Sequence, residues 1–208
     1  MPNLHFENKV RKETGVIYIA GLDEAGRGAL AGPVVAAAVI LPLDAPKQLQ
    51  KLDDVNDSKQ LSAKKREHLY SLIIANALTF GIGSSPAEDV DEMGIIPATK
   101  QAMLSALEQL EPLAEYLLID GRIRLKNTPL RQQSIIRGDS KSLSIAAASI
   151  LAKVTRDRIM IELDSQHPEY GFARHKGYGT EFHRAAIIRL GPTTEHRMSF
   201  SPLRKTLI

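Results

Sequence analysis

The 208-residue chain contains no cysteine, which excludes disulfides and thiolate-held metals and fits a reducing compartment. It also has no long apolar run. The longest, "VVAAAVIL" (34 to 41), is far too short to span a bilayer. The N-terminal "MPNLHFENKVRKETG" is polar and charged and has no signal-peptide core. The expectation is a soluble cytoplasmic protein without membrane contact. Neither an internal repeat nor a low-complexity linker divides the sequence, so one domain is expected.

Several catalytic signatures are missing as well. Gly26, Gly28 and Gly32 give G-x-G-x-x-x-G, one residue too long for a dinucleotide fingerprint, and the loop leads into a strand-like run rather than a helix. No G-x-x-x-x-G-K-[ST] loop occurs to cradle a nucleotide phosphate. Six histidines include no H-E-x-x-H pair, and no G-x-S-x-G elbow is present. Nucleotide-cofactor, zinc-hydrolase and serine-hydrolase chemistry are thereby disfavoured.

What is present suffices for one sizeable core, since 43% of residues are hydrophobic. "VIYIAGLD" (16 to 23), "PVVAAAVIL" (33 to 41), "ALTFGIGS" (77 to 84), "AEYLLID" (114 to 120) and "RQQSIIR" (131 to 137) read as strands. Helices are expected over 62 to 77, capped by Ser62, and from Pro97 to Pro112. A long one is expected over 142 to 164, and a last one follows Thr180 and ends at Gly191-Pro192. Leu143, Ala147, Ile150, Val154 and Ile161 share one face of the long helix. Strands interleaved with helices imply an α/β domain with a mixed sheet.

Net charge is only +3, but Arg122, Arg124, Lys126, Arg131, Arg137 and Lys141 face a single acid, Asp139, between residues 121 and 141. A second basic group is "ARHKGYG" (173 to 179), and the tail adds Arg197, Arg204 and Lys205. Each cluster alone is an ordinary solvated surface; together they tilt toward a polyanionic partner.

Acids stand at element ends. Asp23 and Glu24 close one strand, Asp120 closes another, and Asp139 precedes the long helix. Singly, each is an ordinary turn or cap residue. Together they place four carboxylates where they could share one face. Hard oxygen donors suit Mg²⁺, and four carboxylates balance two divalent ions in formal charge. Such ions about 4 Å apart can activate water and steady the leaving oxygen of a phosphodiester.

The stretches "GLDEAGRG" (21 to 28), "NDSKQLS" (56 to 62), "LLIDG" (117 to 121), "GDSKSLSIAAASILAKVTRDR" (138 to 158) and "YGFARHKGYGT" (170 to 180) occur in one order across nearly the whole chain. In these the sequence resembles bacterial ribonuclease HII, of the type 2 ribonuclease H group. The resemblance implies a ribonuclease H-like fold: a mixed five-stranded sheet flanked by helices, with a core over about residues 16–166 and a helical C-terminal extension over about 167–208. In that fold the first, fourth and fifth strands run parallel, and ten residues between the last two expected strands are few for a crossover.

The resemblance further implies an endoribonuclease that degrades the RNA strand of RNA–DNA hybrids and incises 5′ of single ribonucleotides in duplex DNA. Two Mn²⁺ or Mg²⁺ ions would be held by Asp23, Glu24, Asp120 and Asp139. Asp157 is the rival for the fourth place. It lies roughly 22 Å along the helix from Ser142, so it and Asp139 cannot share one small site. A structural role beside an arginine is expected for it. Gly26, Arg27 and Gly28 would read the ribose 2′-hydroxyl through their backbone, where absent Cβ atoms permit close approach. Tyr178 would pack on the sugar at the RNA-to-DNA junction, and Lys59, Lys141, Ser142 and Lys176 would contact phosphate. A monomer with replication or repair partners is implied. The alternatives are a ribonuclease HIII-like nuclease, which would usually carry an added N-terminal domain, and a non-catalytic hybrid-binding protein.

Overall fold

The computed structural model describes residues 1–205; the last three residues of the expected extension, 206–208, lie outside them. Strands β1 (Ile19–Ala25) and β2 (Val34–Ile40) pair antiparallel across the glycine loop, and β3 (Thr79–Ser85) pairs antiparallel with β2. On the other side, β4 (Tyr116–Asp120) runs parallel to β1 and β5 (Arg131–Ile135) runs parallel to β4. The order β3-β2-β1-β4-β5 is the mixed five-stranded sheet that the sequence led us to expect.

β2 is buried along its whole length because helices cover both sides of the sheet. On one side Ala36 and Ala38 meet Ala98, Ala102, Met103 and Ala106 of α5 (Ile95–Leu107). On the other, Ala37 and Val39 meet Ala147, Ile150 and Leu151 of α6 (Leu143–Gln166), with Leu69 and Ile73 of α3 (Ala63–Asn76) alongside. Small residues set the spacing. A Cβ at Gly21 would fall 2.3 Å from the carbonyl carbon of Ser144, so α6 crosses β1 where only glycine fits.

The ten residues between β4 and β5 suffice because no helix intervenes. Side chains of β5 tether the returning loop instead: Ser134 Oγ donates to the carbonyl of Ile123 at 2.6 Å. Gln132 donates to the carbonyl of Leu125 at 2.7 Å and accepts from its N–H at 2.8 Å.

Other boundaries move, for physical reasons. The polar N-terminus forms α1 (His5–Thr14), and short helices α2 (Pro46–Gln50) and α4 (Ala87–Met93) were not anticipated. Helix α5 opens at Ile95, two residues before Pro97, just after Gly94, whose φ of 86° reverses the chain, and it ends before Pro112 is reached. β5 stops at Ile135, leaving Ile136 exposed. Ile161 is 52% exposed, off the buried face where periodicity placed it. Beyond Val154 the helix leaves the sheet and buries Arg156 and Met160 instead. Met160 packs with Leu30, Tyr170 and Phe172 near the C-terminal helices α7 (Phe172–His175) and α8 (Glu181–Leu190). Thr180 Oγ1 caps α8 by accepting from the N–H of His183, and Gly191 ends it.

Candidate active site

β1 and β4 are neighbouring parallel strands, paired up to Leu22 and Ile119, so both deliver an acid to the same sheet edge. Asp23 is 3% exposed there, with Asp120 beside it on β4. A short 3₁₀ turn (Gly138–Ser140) brings in Asp139, and the N–H of Gly138 donates to Asp120 Oδ1 at 2.6 Å. Glu24, the next residue of β1, lines the same cleft of about 500 Å³ as Asp23 and Asp120. The four acids that the sequence singled out are thus brought together. Asp157 is not among them: it pairs with Lys153 at 2.7 Å and Arg66 at 3.9 Å.

The acids are held under electrostatic tension. Burial pushes the Asp23 carboxyl well above the usual range, and the charges of Glu24 and Asp120 add to this. Burial also raises Glu24, against the opposing pull of Arg27, and raises Asp120, which faces Asp139. Arg27 donates to Glu24 at 3.0 Å, and Lys59 Nζ donates to Asp139 at 3.0 Å. Burial works against the charge on Lys59, but Asp139, Asp23 and Asp57 outweigh it and its pKa rises.

Among the described residues no trio of acidic or histidine side chains closes tightly enough to enclose an ion unaided. Yet Glu24 Oε2 is buried without a hydrogen-bond partner, an oxygen left with capacity for a cation. An all-oxygen set with surplus negative charge and one orphaned oxygen fits a divalent ion completed by water and phosphate.

The glycine loop owes its shape to two fully buried arginines that sequence reading took for surface charge or passed over. Arg197 donates to the carbonyls of Gly26 (2.8 Å), Arg27 (3.0 Å), Ala29 (2.9 Å) and Gly32 (2.8 Å). Arg156, from α6, donates to those of Pro33 (2.8 Å), Lys176 (2.8 Å) and Ala31 (3.0 Å). Burial, then the neighbouring Arg156, pushes Arg197 down to about 10, which still leaves it cationic at neutral pH. With the carbonyls drawn inward, the N–H groups of Arg27 and Gly28 have no acceptor among the described residues. Gly26 needs to be glycine for internal reasons: its φ is 92° and a Cβ would fall 1.9 Å from Arg156 Nε. Gly28 has an ordinary φ and open space around it.

The remaining sequence candidates divide. Tyr178 lines the cleft, 38% exposed, with the Arg156 guanidinium 5.5 Å and the Lys153 ammonium 5.8 Å from its ring centre. Lys59 lines the cleft too. Lys141 is turned onto the carbonyl of Ile136 at 2.8 Å. Lys176 donates to Ala173, and burial lowers its pKa. Ser142 corrects the expectation of a phosphate contact. It is fully buried, donates to Glu7 at 2.6 Å and accepts from the N–H of Ile145, so it caps α6 rather than facing solvent. Ser149, missed in the sequence, lies 2.8 Å from Ser58 Oγ beneath the cleft, and its hydroxyl offsets part of the upward push on the Asp23 carboxyl. The residue directly follows Ala146, Ala147 and Ala148 on α6 and is buried with them.

Residues 20–203 match the protein family described as Ribonuclease HII. Ribonuclease HII of Syntrophotalea carbinolica is 52% identical over 98% of this chain and 94% of its own length. That of Geobacillus sp. (strain WCH70) is 53% identical over 94% of this chain and 68% of its own. The solved ribonuclease H2 from Pyrococcus horikoshii OT3 superposes with a TM-score of 0.77 at 25% identity, covering 91% of this chain and 96% of that one. Bst-RNase HIII solved with Mn²⁺ shares the fold alone, at a TM-score of 0.68 and 18% identity over 92% of this chain and 69% of that one. No helix among the described residues is long and apolar enough to cross a membrane. A carboxylate-lined sheet edge beside a backbone-presenting glycine loop, on this sheet order and at this level of identity, has one reading: the chain belongs to the ribonuclease HII family of hydrolytic endonucleases.

Proposed function

We propose that this chain cleaves the RNA strand of RNA–DNA hybrids and also incises 5′ of single ribonucleotides embedded in duplex DNA, leaving 3′-hydroxyl and 5′-phosphate ends. One observation carries the reading: Asp23, Glu24 and Asp120 open into the same cleft as the Gly26-Arg27-Gly28 backbone and Tyr178. Asp23, Glu24, Asp120 and Asp139 would hold two Mg²⁺ or Mn²⁺ ions. Such ions, when bound, acidify a water and steady the departing oxygen. The protein's own part is positional. The N–H groups of Arg27 and Gly28 face the ribose and donate to its 2′-hydroxyl oxygen, the group that separates RNA from DNA. Tyr178 packs on the sugar, and Lys59 is the candidate for phosphate contact.

The same reading has the chain acting as a monomer. Contact with replication machinery is supported by likeness to an archaeal structure described as a PCNA:RNase HII complex from Archaeoglobus fulgidus (TM-score 0.74, 27% identity, 89% of this chain and 96% of that one).

The test uses a DNA duplex carrying one ribonucleotide. Nicking 5′ of that residue with Mg²⁺ or Mn²⁺, its arrest by chelator, and binding without nicking by Asp120→Asn are the expected results. Binding without nicking by the wild type would mark a hybrid binder. Equal nicking of an all-DNA duplex would remove the ribonucleotide reading.

A further inference from the structure

The acid-free basic segment of residues 121–137 does not line the catalytic cleft. Its cations gather in a separate groove of about 420 Å³ between α5 and the loop that follows β4. There Lys100, Arg122, Arg124 and Lys126 join Arg27, with Ile96 and Ile123 as an apolar floor and no acid in the lining. Arg27 also lines the catalytic cleft, so the two depressions meet at its side chain. Arg124 and Lys126 continue into a third depression that holds Arg131 at the outer strand β5. A basic track therefore runs from the site to the sheet edge.

Among the described residues these cations are unengaged, and they differ from other unengaged surface lysines, such as Lys47 and Lys51, in sharing one concave face that has no acid in its lining. Lys65, Arg11 and Arg158 elsewhere on the surface pair with Asp54, Asp44 and Glu67. None of Lys100, Arg122, Arg124 and Lys126 takes part in an ion pair or a side-chain hydrogen bond among the described residues, while Arg122, Arg124 and Lys126 are exposed. Unpaired cations on a concave face with no acid repel one another, and a regular row of phosphates relieves that repulsion. The tether from Ser134 and Gln132 fixes the loop that carries them, so the track is built rather than incidental.

We propose that this track is a phosphate-binding rail for one arm of the duplex, to one side of the cleavage position. It engages backbone without reading sequence and adds affinity for duplexes long enough to reach it. The inference rests on the reading of the cleft as a nuclease site and extends it to substrate length and polarity.

The experiment measures affinity in chelator with a duplex carrying one ribonucleotide. Its arms are about 4 base pairs, then about 12 on the 5′ side or on the 3′ side alone. The probes are the wild type, the triple variant Arg122→Gln, Arg124→Gln, Lys126→Gln, and a charge-matched control, Lys12→Gln, Lys47→Gln, Lys51→Gln. Extension of one arm should tighten wild-type and control binding by roughly tenfold or more. The triple variant should lose that gain and show a slope of log affinity against log salt shallower by roughly two to three. The triple variant should still nick the short duplex at the wild-type rate. A gain that survives in the triple variant, an equal gain from both arms, or an equal loss in the control would overturn the rail. Failure of the wild type to nick at all would instead overturn the nuclease reading, since these binding measurements do not depend on cleavage.

Discussion

Arg197 Nη1 donates to the carbonyl of Gly26 across 2.8 Å, joining residues 171 positions apart in the sequence. The planar guanidinium spreads its donors over four carbonyls of one loop, which an ammonium cannot do. Arg197→Lys should therefore lower stability by about 2–4 kcal/mol, because several buried carbonyls lose their donors. It should also reduce cleavage at a single ribonucleotide more than binding to the duplex. Thermal denaturation and single-turnover rates check both, and unchanged melting would show that the loop holds its shape without the guanidinium.

Gly26 and Gly28 separate a structural glycine from a functional one. Gly26→Ala forces a Cβ into Arg156 at a φ of 92°, so it should cost about 2 kcal/mol or more. Gly28→Ala meets open space, and its stability should stay within about 0.5 kcal/mol of wild type. Cleavage by Gly28→Ala should nonetheless fall tenfold or more, since the methyl stands where a ribose would approach. A fully active, stable Gly28→Ala would detach the loop from substrate reading.

Asp23 stores a cost that a bound cation would remove. Its folded pKa lies well above the ordinary carboxyl value. The folded state thus binds the proton more tightly than the unfolded one, and stability declines as pH rises above the unfolded carboxyl range. In chelator at neutral pH, Asp23→Asn should melt about 2–4 °C higher than wild type while losing cleavage altogether. Mg²⁺ should raise the melting temperature of the wild type and leave the variant's unmoved. A destabilised variant in chelator would mean that Asp23 is already relieved by its neighbours.

The C-terminal segment holds a hydrogen-bonded histidine relay of defined polarity. The N–H of Thr193 donates to His196 Nδ1 at 3.0 Å, so the neutral His196 ring carries its proton on Nε2, 3.1 Å from His183 Nε2. His183 Nδ1 in turn donates to the carbonyl of Tyr178 at 3.0 Å. His175 stacks on His183 with ring centres 4.3 Å apart. Burial pushes His183 and His196 both down to about 4, and each depresses or is depressed by a neighbouring ring. Both remain neutral when folded but would take up protons on unfolding below about pH 6.5. Their stabilisation is therefore complete above that pH and fades as pH falls toward about 4. The melting temperature should drop by roughly 5 °C or more between pH 7 and pH 5. His183→Gln should flatten that slope; an equally steep slope in the variant would place the titration elsewhere.

The parts of this molecule that obey a period were legible in the sequence. β1 and β2 carry β-branched runs, α6 repeats alanine and aliphatic positions, and the acids sit at the ends of those elements. The quoted motifs then tied the acids to one chemistry. Features set by tertiary contact were hidden. Helix α1 turns only two apolar residues, Phe6 and Val10, to the core and buries a carboxylate, Glu7, beside them, so among its many charged residues its apolar face is short. Arg156 reads as one more charge in a helix, yet it is buried because seven inward carbonyls, shared with Arg197, replace water. The family resemblance assigns Ser142 to phosphate, and only the packing of Glu7 against it reveals a cap.

Glu7 Oε1 accepts from Ser142 Oγ at 2.6 Å and from the N–H and Oγ of Ser144 at 3.0 and 2.7 Å, while Asn3 trades backbone bonds with Lys141 and Leu143. The opening residues thus act as a clasp on the segment that carries Asp139. A protease nick before Gly15 would leave Asp23, Glu24, Asp120 and Asp139 in the chain and still let that segment drift. The integrity of the first dozen residues would then set the useful lifetime of a preparation.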